Sequence, residues 1–182
     1  MAPPFLKVEY MNILFEIGEY GPILLIILSW YLLWNHKNMF FYYNVGLFVN
    51  SIINTILKGI IQEPRPMYDN KKMYLLTNNA KNYFYQNGIP FNMFGMPSGH
   101  AQSSFFSTAF IYFSLKNTNV FYLYLASSLL TCYQRVALDY HYILQVIIGA
   151  IVGSSFARIV YQLAKEKIKG TIREKPDNFG PM

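Results

Sequence analysis

Long apolar runs, broken by polar residues that recur at helical spacing, constrain this chain more than any other feature. Gly21 to Trp34 reads GPILLIILSWYLLW, short of the roughly 20 residues that cross a bilayer, so a first span begins about a turn earlier. Further runs cover residues 39 to 61, 98 to 115, 120 to 138 and 141 to 164. Within them Asn50, Asn54 and Lys58 fall on one helix face, as do His100, Ser104 and Thr108. Ser128, Thr131 and Arg135 form a third such stripe, and His141, Gln145, Gly149 and Gly153 a fourth. Polar groups at membrane depth are costly unless they face a bundle interior. The pattern predicts an all-α integral membrane bundle of about five transmembrane helices.

Composition agrees, with 53% hydrophobic residues, 18% aromatic and 13% charged. The net charge of +6 does not mark a nucleic-acid binder, because no basic stripe with interleaved aromatics lies along a soluble face. The single cysteine, Cys132, sits in an apolar run and reads as a small buried side chain without an intramolecular disulfide. No basic region feeds an apolar core and cleavage site at the N-terminus, so no cleaved signal peptide is expected. Residues 1–17 read as an N-terminal interfacial segment, 18–164 as the membrane-embedded domain and 165–182 as a basic tail. Between the second and third runs, residues 62–97 carry Pro64, Pro66, Gly88, Pro90 and Pro97 and read as a loop outside the hydrocarbon.

Three basic clusters meet the ends of apolar runs. Lys58 is followed by Arg65-Pro66, Pro97-Ser98-Gly99-His100 opens the third run, and Arg135 precedes His141 at the junction of the fourth and fifth. Threading the runs through a bilayer brings these ends to one face. Three cations suit a phosphoryl group, whose transfer is mostly positioning and charge stabilisation, and two histidines add a nucleophile and a proton donor without a metal or other cofactor. Ser98 and Gly99 precede a helix N-terminus, where free N–H groups suit an anion. Taken singly, each cation reads more readily as an interfacial snorkelling side chain than as a phosphate ligand, and Gly149 and Gly153 read as a helix-packing GxxxG pair.

The order K-x6-R-P, P-S-G-H, R-x5-H resembles the signature of the type 2 phosphatidic acid phosphatase superfamily. The wording Gln62-Glu63-Pro64-Arg65-Pro66, Gly95-Met96-Pro97-Ser98 with His100 and Gln102, and Arg135-Val136 with Tyr140-His141 and Gln145-Val146 looks like its dolichyl diphosphatase branch. The likeness covers roughly residues 50 to 155. It departs from the wider superfamily at Gln134, where Ser is usual, and at Gln145, where an Asp usually orients the nucleophilic histidine.

The resemblance implies a phosphatase fold in which His141 attacks phosphorus, His100 protonates the leaving oxygen and Lys58, Arg65, Ser98, Gly99 and Arg135 bind phosphate. Gln145, one turn after His141, offers a carbonyl to the imidazole N–H; Asp139 is a second candidate for that task, and Glu63 has no role legible in the sequence. The implied reaction removes the terminal phosphate of a polyprenyl diphosphate such as dolichyl diphosphate. A phosphatase for phosphatidate-like glycerolipids is the enzymatic alternative, and a catalytically silent lipid-binding membrane protein the non-enzymatic one. Lys71, Lys72 and Lys81 in the loop read either as extra charge for a diphosphate or as solvated residues. Lys37, Lys116, Lys165, Lys167, Lys169, Arg173 and Lys175 outnumber Lys7, Lys71, Lys72 and Lys81 on the opposite face. The positive-inside rule therefore expects a cytoplasmic C-terminal tail and a site facing the endoplasmic reticulum lumen or the cell exterior.

Overall fold

The computed structural model describes residues 4–66 and 94–169, with side chains for residues 13, 15–66 and 94–166. Lys71, Lys72 and Lys81, most of the 62–97 loop, and the tail beyond residue 169 lie outside the described residues. The described residues form five helices and no strand: α1 Pro4–Leu33, α2 Lys37–Ile61, α3 Gly99–Leu115, α4 Thr118–Ala137 and α5 Ile143–Lys169. Helix α1 runs unbroken across Gly21 and Pro22, so no backbone break separates an interfacial segment from the first span.

The distribution of polarity is that of a bundle in lipid. On α2, Phe48, Ile52, Ile56 and Ile60 are exposed, whereas Tyr43, Gly46, Asn50, Asn54 and Lys58 are buried. On α5, Leu144, Ile147, Ile151 and Leu163 face outward. Among the described residues, three segments are long and apolar enough to cross a membrane: Phe15–Leu33, Lys37–Ile61 and Ile143–Glu166. Helix α3 is shorter, at 17 residues, and buries Gln102, Ser104, Ser107 and Thr108 among its neighbours. It packs against all four other helices, so its polar side chains meet protein rather than lipid. Helix α4 likewise buries Ser128, Thr131, Gln134 and Arg135.

Hydroxyl pairs join the helices at depth: Ser29 with Tyr124 at 3.0 Å, Tyr43 with Ser107 at 2.8 Å, and Thr108 with Ser128 at 2.8 Å. An aromatic cluster of Tyr43, Phe106 and Phe110, with ring centroids 5.5–6.0 Å apart, fills the half of the bundle away from the motifs. Glycine allows the closest approaches. A Cβ on Gly153 would run into the carbonyl of Gln102, and one on Gly149 would lie 2.6 Å from the carbonyl of Ser98. The GxxxG pair is therefore a packing device, and it presses α5 against the first turn of α3.

Chain turns are stabilised locally. Gln62 and Lys116 close α2 and α3 in the left-handed region, with φ of 52° and 51°. The side chain of Asn117 caps α4 by accepting from the N–H groups of Asn119 and Val120.

Candidate active site

The carbonyl of Arg135 organises the turn between α4 and α5. It accepts from the N–H groups of both Tyr140 and His141, at 3.0 and 3.1 Å. Asp139 makes this wrap possible by adopting φ 54°, a left-handed conformation that Asp tolerates better than most residues. The R-x5-H spacing is thus the length of chain that folds back over the last turn of α4. Tyr140 then lies with its ring 5.1 Å from the Arg135 guanidinium carbon, close enough for a cation–π contact.

His141 is buried, and its Nδ1 faces Oε1 of Gln145 at 3.0 Å. The Gln145 amide has one orientation consistent with its other partners. Its Nε2 donates to the Pro64 carbonyl at 2.8 Å, and its Oε1 also accepts from the Tyr142 N–H at 3.3 Å. Because Oε1 only accepts, Nδ1 of His141 carries the proton and Nε2 bears the free lone pair. Asp139 serves the backbone turn instead. Burial pushes the His141 imidazolium down to a pKa of about 3; the Gln145 contact opposes this, while Arg65, Lys58 and Arg135 add to it. All three cations therefore act on His141.

His100, in the first turn of α3, meets the same cluster. Its Nε2 lies 2.7 Å from Nη2 of Arg135. A guanidinium only donates, so Nε2 of His100 is the acceptor and its neutral form carries hydrogen on Nδ1. Lys58 donates to the Phe94 carbonyl at 3.0 Å. That carbonyl belongs to a short segment tied to the first motif, where Pro64 and Phe94 form an antiparallel bridge and the Gly95 N–H donates to Glu63 at 2.7 Å. The Ser98 N–H is not free, since it donates to the Gln145 carbonyl at 3.0 Å, whereas its buried hydroxyl has no partner among the described residues.

Behind the site lies a polar network that the motifs alone do not reveal. Gln102 donates to the side chain and carbonyl of Asn50, both at 2.9 Å, and accepts from Asn54 at 2.8 Å. Asn54 also donates to the Pro97 carbonyl at 3.1 Å. This ties the first turn of α3 to α2, one turn before Lys58. Its sequence signal was the spacing of Asn50 and Asn54, which puts both on the face that Lys58 shares. At the opposite end of the bundle, a cleft of about 500 Å³ lined by Asn35 to Met39, Ser114 and Leu115 holds none of the motif residues.

The structure therefore brings Lys58, Arg65, His100, Arg135, His141 and Gln145 to one end of the bundle, as the sequence order implies. Residues 40–169 match the PAP2 superfamily. The chain is 31% identical over 139 residues to the dolichyldiphosphatase of Saccharomyces cerevisiae, covering 71% of this chain and 51% of that protein. It is 30% identical over 138 residues to lipid phosphate phosphatase epsilon 2, chloroplastic, of Arabidopsis thaliana, covering 71% of this chain and 41% of the relative. The chain thus spans about half or less of the length of these curated relatives. No solved structure matches it. With its helical bundle, its motif order and a match across most of its length, the chain belongs to the PAP2 superfamily.

Proposed function

We propose that this protein is a membrane phosphatase that removes the terminal phosphate of a polyprenyl diphosphate through a phosphohistidine intermediate. The observation that carries the reading is the Gln145–His141 contact, which leaves the His141 Nε2 lone pair available beside three cations. In the proposed reaction Nε2 attacks the terminal phosphorus, and the bond from phosphorus to the bridging oxygen breaks. His100 in its protonated form gives its proton to that oxygen, releasing the lipid monophosphate. Water then attacks the phosphohistidine, gives a proton to His100 and frees inorganic phosphate. Lys58, Arg65 and Arg135 stabilise the equatorial charge, Arg by forked donors and Lys as a point charge. Ser98 and Gly99, at the start of α3, complete the phosphate cradle, with the Ser98 hydroxyl as the available donor.

The preference for a diphosphate rests on the motif wording and on the Saccharomyces relative's printed name. A phosphatidate-like substrate is the second reading, favoured by the name of the Arabidopsis relative. The site is assigned to a lumenal or extracytoplasmic face by the positive-inside rule, the endoplasmic reticulum being the proposed membrane. The test is phosphate release by the full chain in detergent from a panel of polyprenyl diphosphates, polyprenyl monophosphates and phosphatidate. Acid-labile, base-stable labelling of His141 is expected with a terminally labelled diphosphate. Lack of release from every lipid in the panel would return the protein to a silent lipid-binding role.

A further inference from the structure

Gln145 is the residue at which all three motif segments join. Its side-chain N–H donates to Pro64, its side-chain oxygen accepts from His141, and its main-chain carbonyl accepts from Ser98. Gly95 lies so close that a Cβ there would run into the Gln145 amide. The side chain is fully buried, so both ends of the amide are committed to protein partners. Pro64 precedes Arg65, and Pro66 follows it, restricting the Arg65 backbone. A carboxylate at position 145 would accept from His141 equally well, but it would set an unprotonated oxygen against the Pro64 carbonyl. The amide meets two donors, His141 and the Tyr142 N–H, and one acceptor, Pro64, a set that an ionised carboxylate cannot serve.

We infer that Gln145 is a positioning residue with two tasks, orienting His141 and, through the Pro64 carbonyl, holding Arg65 in its phosphate-binding position. The second task gives a physical reason for an amide at position 145. The inference rests on the proposed function for the role of Arg65. Its distinguishing consequence is that losing the amide weakens phosphate binding by way of Arg65, in addition to any effect on His141.

The test uses the full chain in detergent and inorganic phosphate as probe, with dissociation constants measured for wild type, Gln145→Met, Arg65→Ala and the double variant. Gln145→Met adds no charge and removes all three side-chain hydrogen bonds, to His141, Tyr142 and Pro64. It is expected to weaken phosphate binding about tenfold, and the double variant should lie within about twofold of Arg65→Ala, because residues acting through one another are not additive. Gly95→Ala, which displaces the amide without altering residue 145, should weaken binding in the same direction. In Gln145→Glu the ratio of affinity to wild type should recover between pH 7 and pH 5, as the new carboxyl gains a proton to offer Pro64. His141, on which Lys58, Arg65 and Arg135 act, contacts position 145 in both proteins, and Gln145→Met should show no such recovery. Losses that multiply in the double variant, or unchanged affinity in Gln145→Met, overturn the inference while leaving the phosphatase reading intact. A wild-type chain that neither binds phosphate nor hydrolyses any lipid phosphate overturns both.

Discussion

Arg135 donates to Nε2 of His100 across 2.7 Å, so a phosphate-binding candidate occupies the nitrogen from which a general acid would work. An incoming phosphate competes for the guanidinium and, by its charge, favours the imidazolium. Arg135→Lys keeps the positive charge but loses the fork and the planar contact with Tyr140. Loss of a charge-assisted hydrogen bond worth about 1.5–3 kcal/mol corresponds to a fall in kcat/KM of roughly 10- to 100-fold. Wild-type kcat/KM in that variant, measured on the best substrate of the lipid panel, would remove Arg135 from the site.

The two histidines are expected to fail differently. His141→Ala should abolish turnover and phosphoenzyme together, since it removes the proposed attacking nitrogen. His100→Ala should lower kcat by about 10²–10⁴-fold, the usual contribution of general acid–base catalysis, while still forming labelled His141 from a diphosphate. Trapping the intermediate in rapid-quench experiments separates the cases. Labelled protein in His141→Ala would move the nucleophile elsewhere.

The sequence made the inner face of α2 legible because Asn50, Asn54 and Lys58 repeat every fourth residue, and all three are buried. It also made His141 and Gln145 legible as a pair one helical turn apart. The partners of those side chains were hidden wherever they are backbone groups. Nothing in the letters indicates that Gln145 donates to the Pro64 carbonyl or Asn54 to that of Pro97, because every residue offers a carbonyl and only the fold selects one. The central position of α3 was hidden for a related reason: its polar residues lower its hydropathy while its neighbours supply the apolar exterior.

Asp139 tests this distinction between side-chain and backbone roles. With φ at 54° and its side chain uninvolved in the His141 contact, it acts as a turn residue. Asp139→Asn and Asp139→Gly both tolerate the left-handed region and should retain kcat within about threefold, whereas β-branched Asp139→Val should destabilise by about 1–2 kcal/mol and distort the turn. Denaturation midpoints and kcat on the same preparations check the series. A larger kcat loss in Asp139→Asn than in Gln145→Leu would transfer the orienting role to Asp139.

The burial of His141 carries a pH signature. Its pKa in the native protein is about 3, below the ordinary histidine value of 6.5, so the native state binds fewer protons than the unfolded chain between these limits. The contribution is fully present above pH 6.5 and is lost as pH falls towards 3. His141→Gln should therefore flatten the loss of stability on acidification across that window. In phosphate-free wild type, the His141 ring followed by NMR should remain neutral at pH 5, and saturating phosphate should raise its pKa by setting negative charge against Arg65, Lys58 and Arg135. A ring that titrates near 6.5 in the phosphate-free protein would contradict the buried, cation-flanked setting.

Substrate choice is the last expectation, and it follows from where charge develops. A diphosphate expels a phosphate that already carries negative charge, so stabilisation is needed on both sides of the breaking bond. Lys58, Arg65 and Arg135 converge electrostatically on His141, and Arg135 also reaches His100, the proposed donor to the leaving oxygen. One cation thus contacts the proposed proton donor and acts electrostatically on the proposed nucleophile, an arrangement suited to a leaving group with charge of its own. We expect kcat/KM for a polyprenyl diphosphate to exceed that for phosphatidate or the polyprenyl monophosphate by about tenfold or more, the effect of about 1.4 kcal/mol of added transition-state stabilisation. One inorganic phosphate per turnover, without pyrophosphate, should accompany it. Arg135→Lys should narrow the preference by slowing diphosphate cleavage more than monophosphate cleavage. Equal or faster hydrolysis of phosphatidate in the same detergent would assign the protein to glycerolipid phosphates instead.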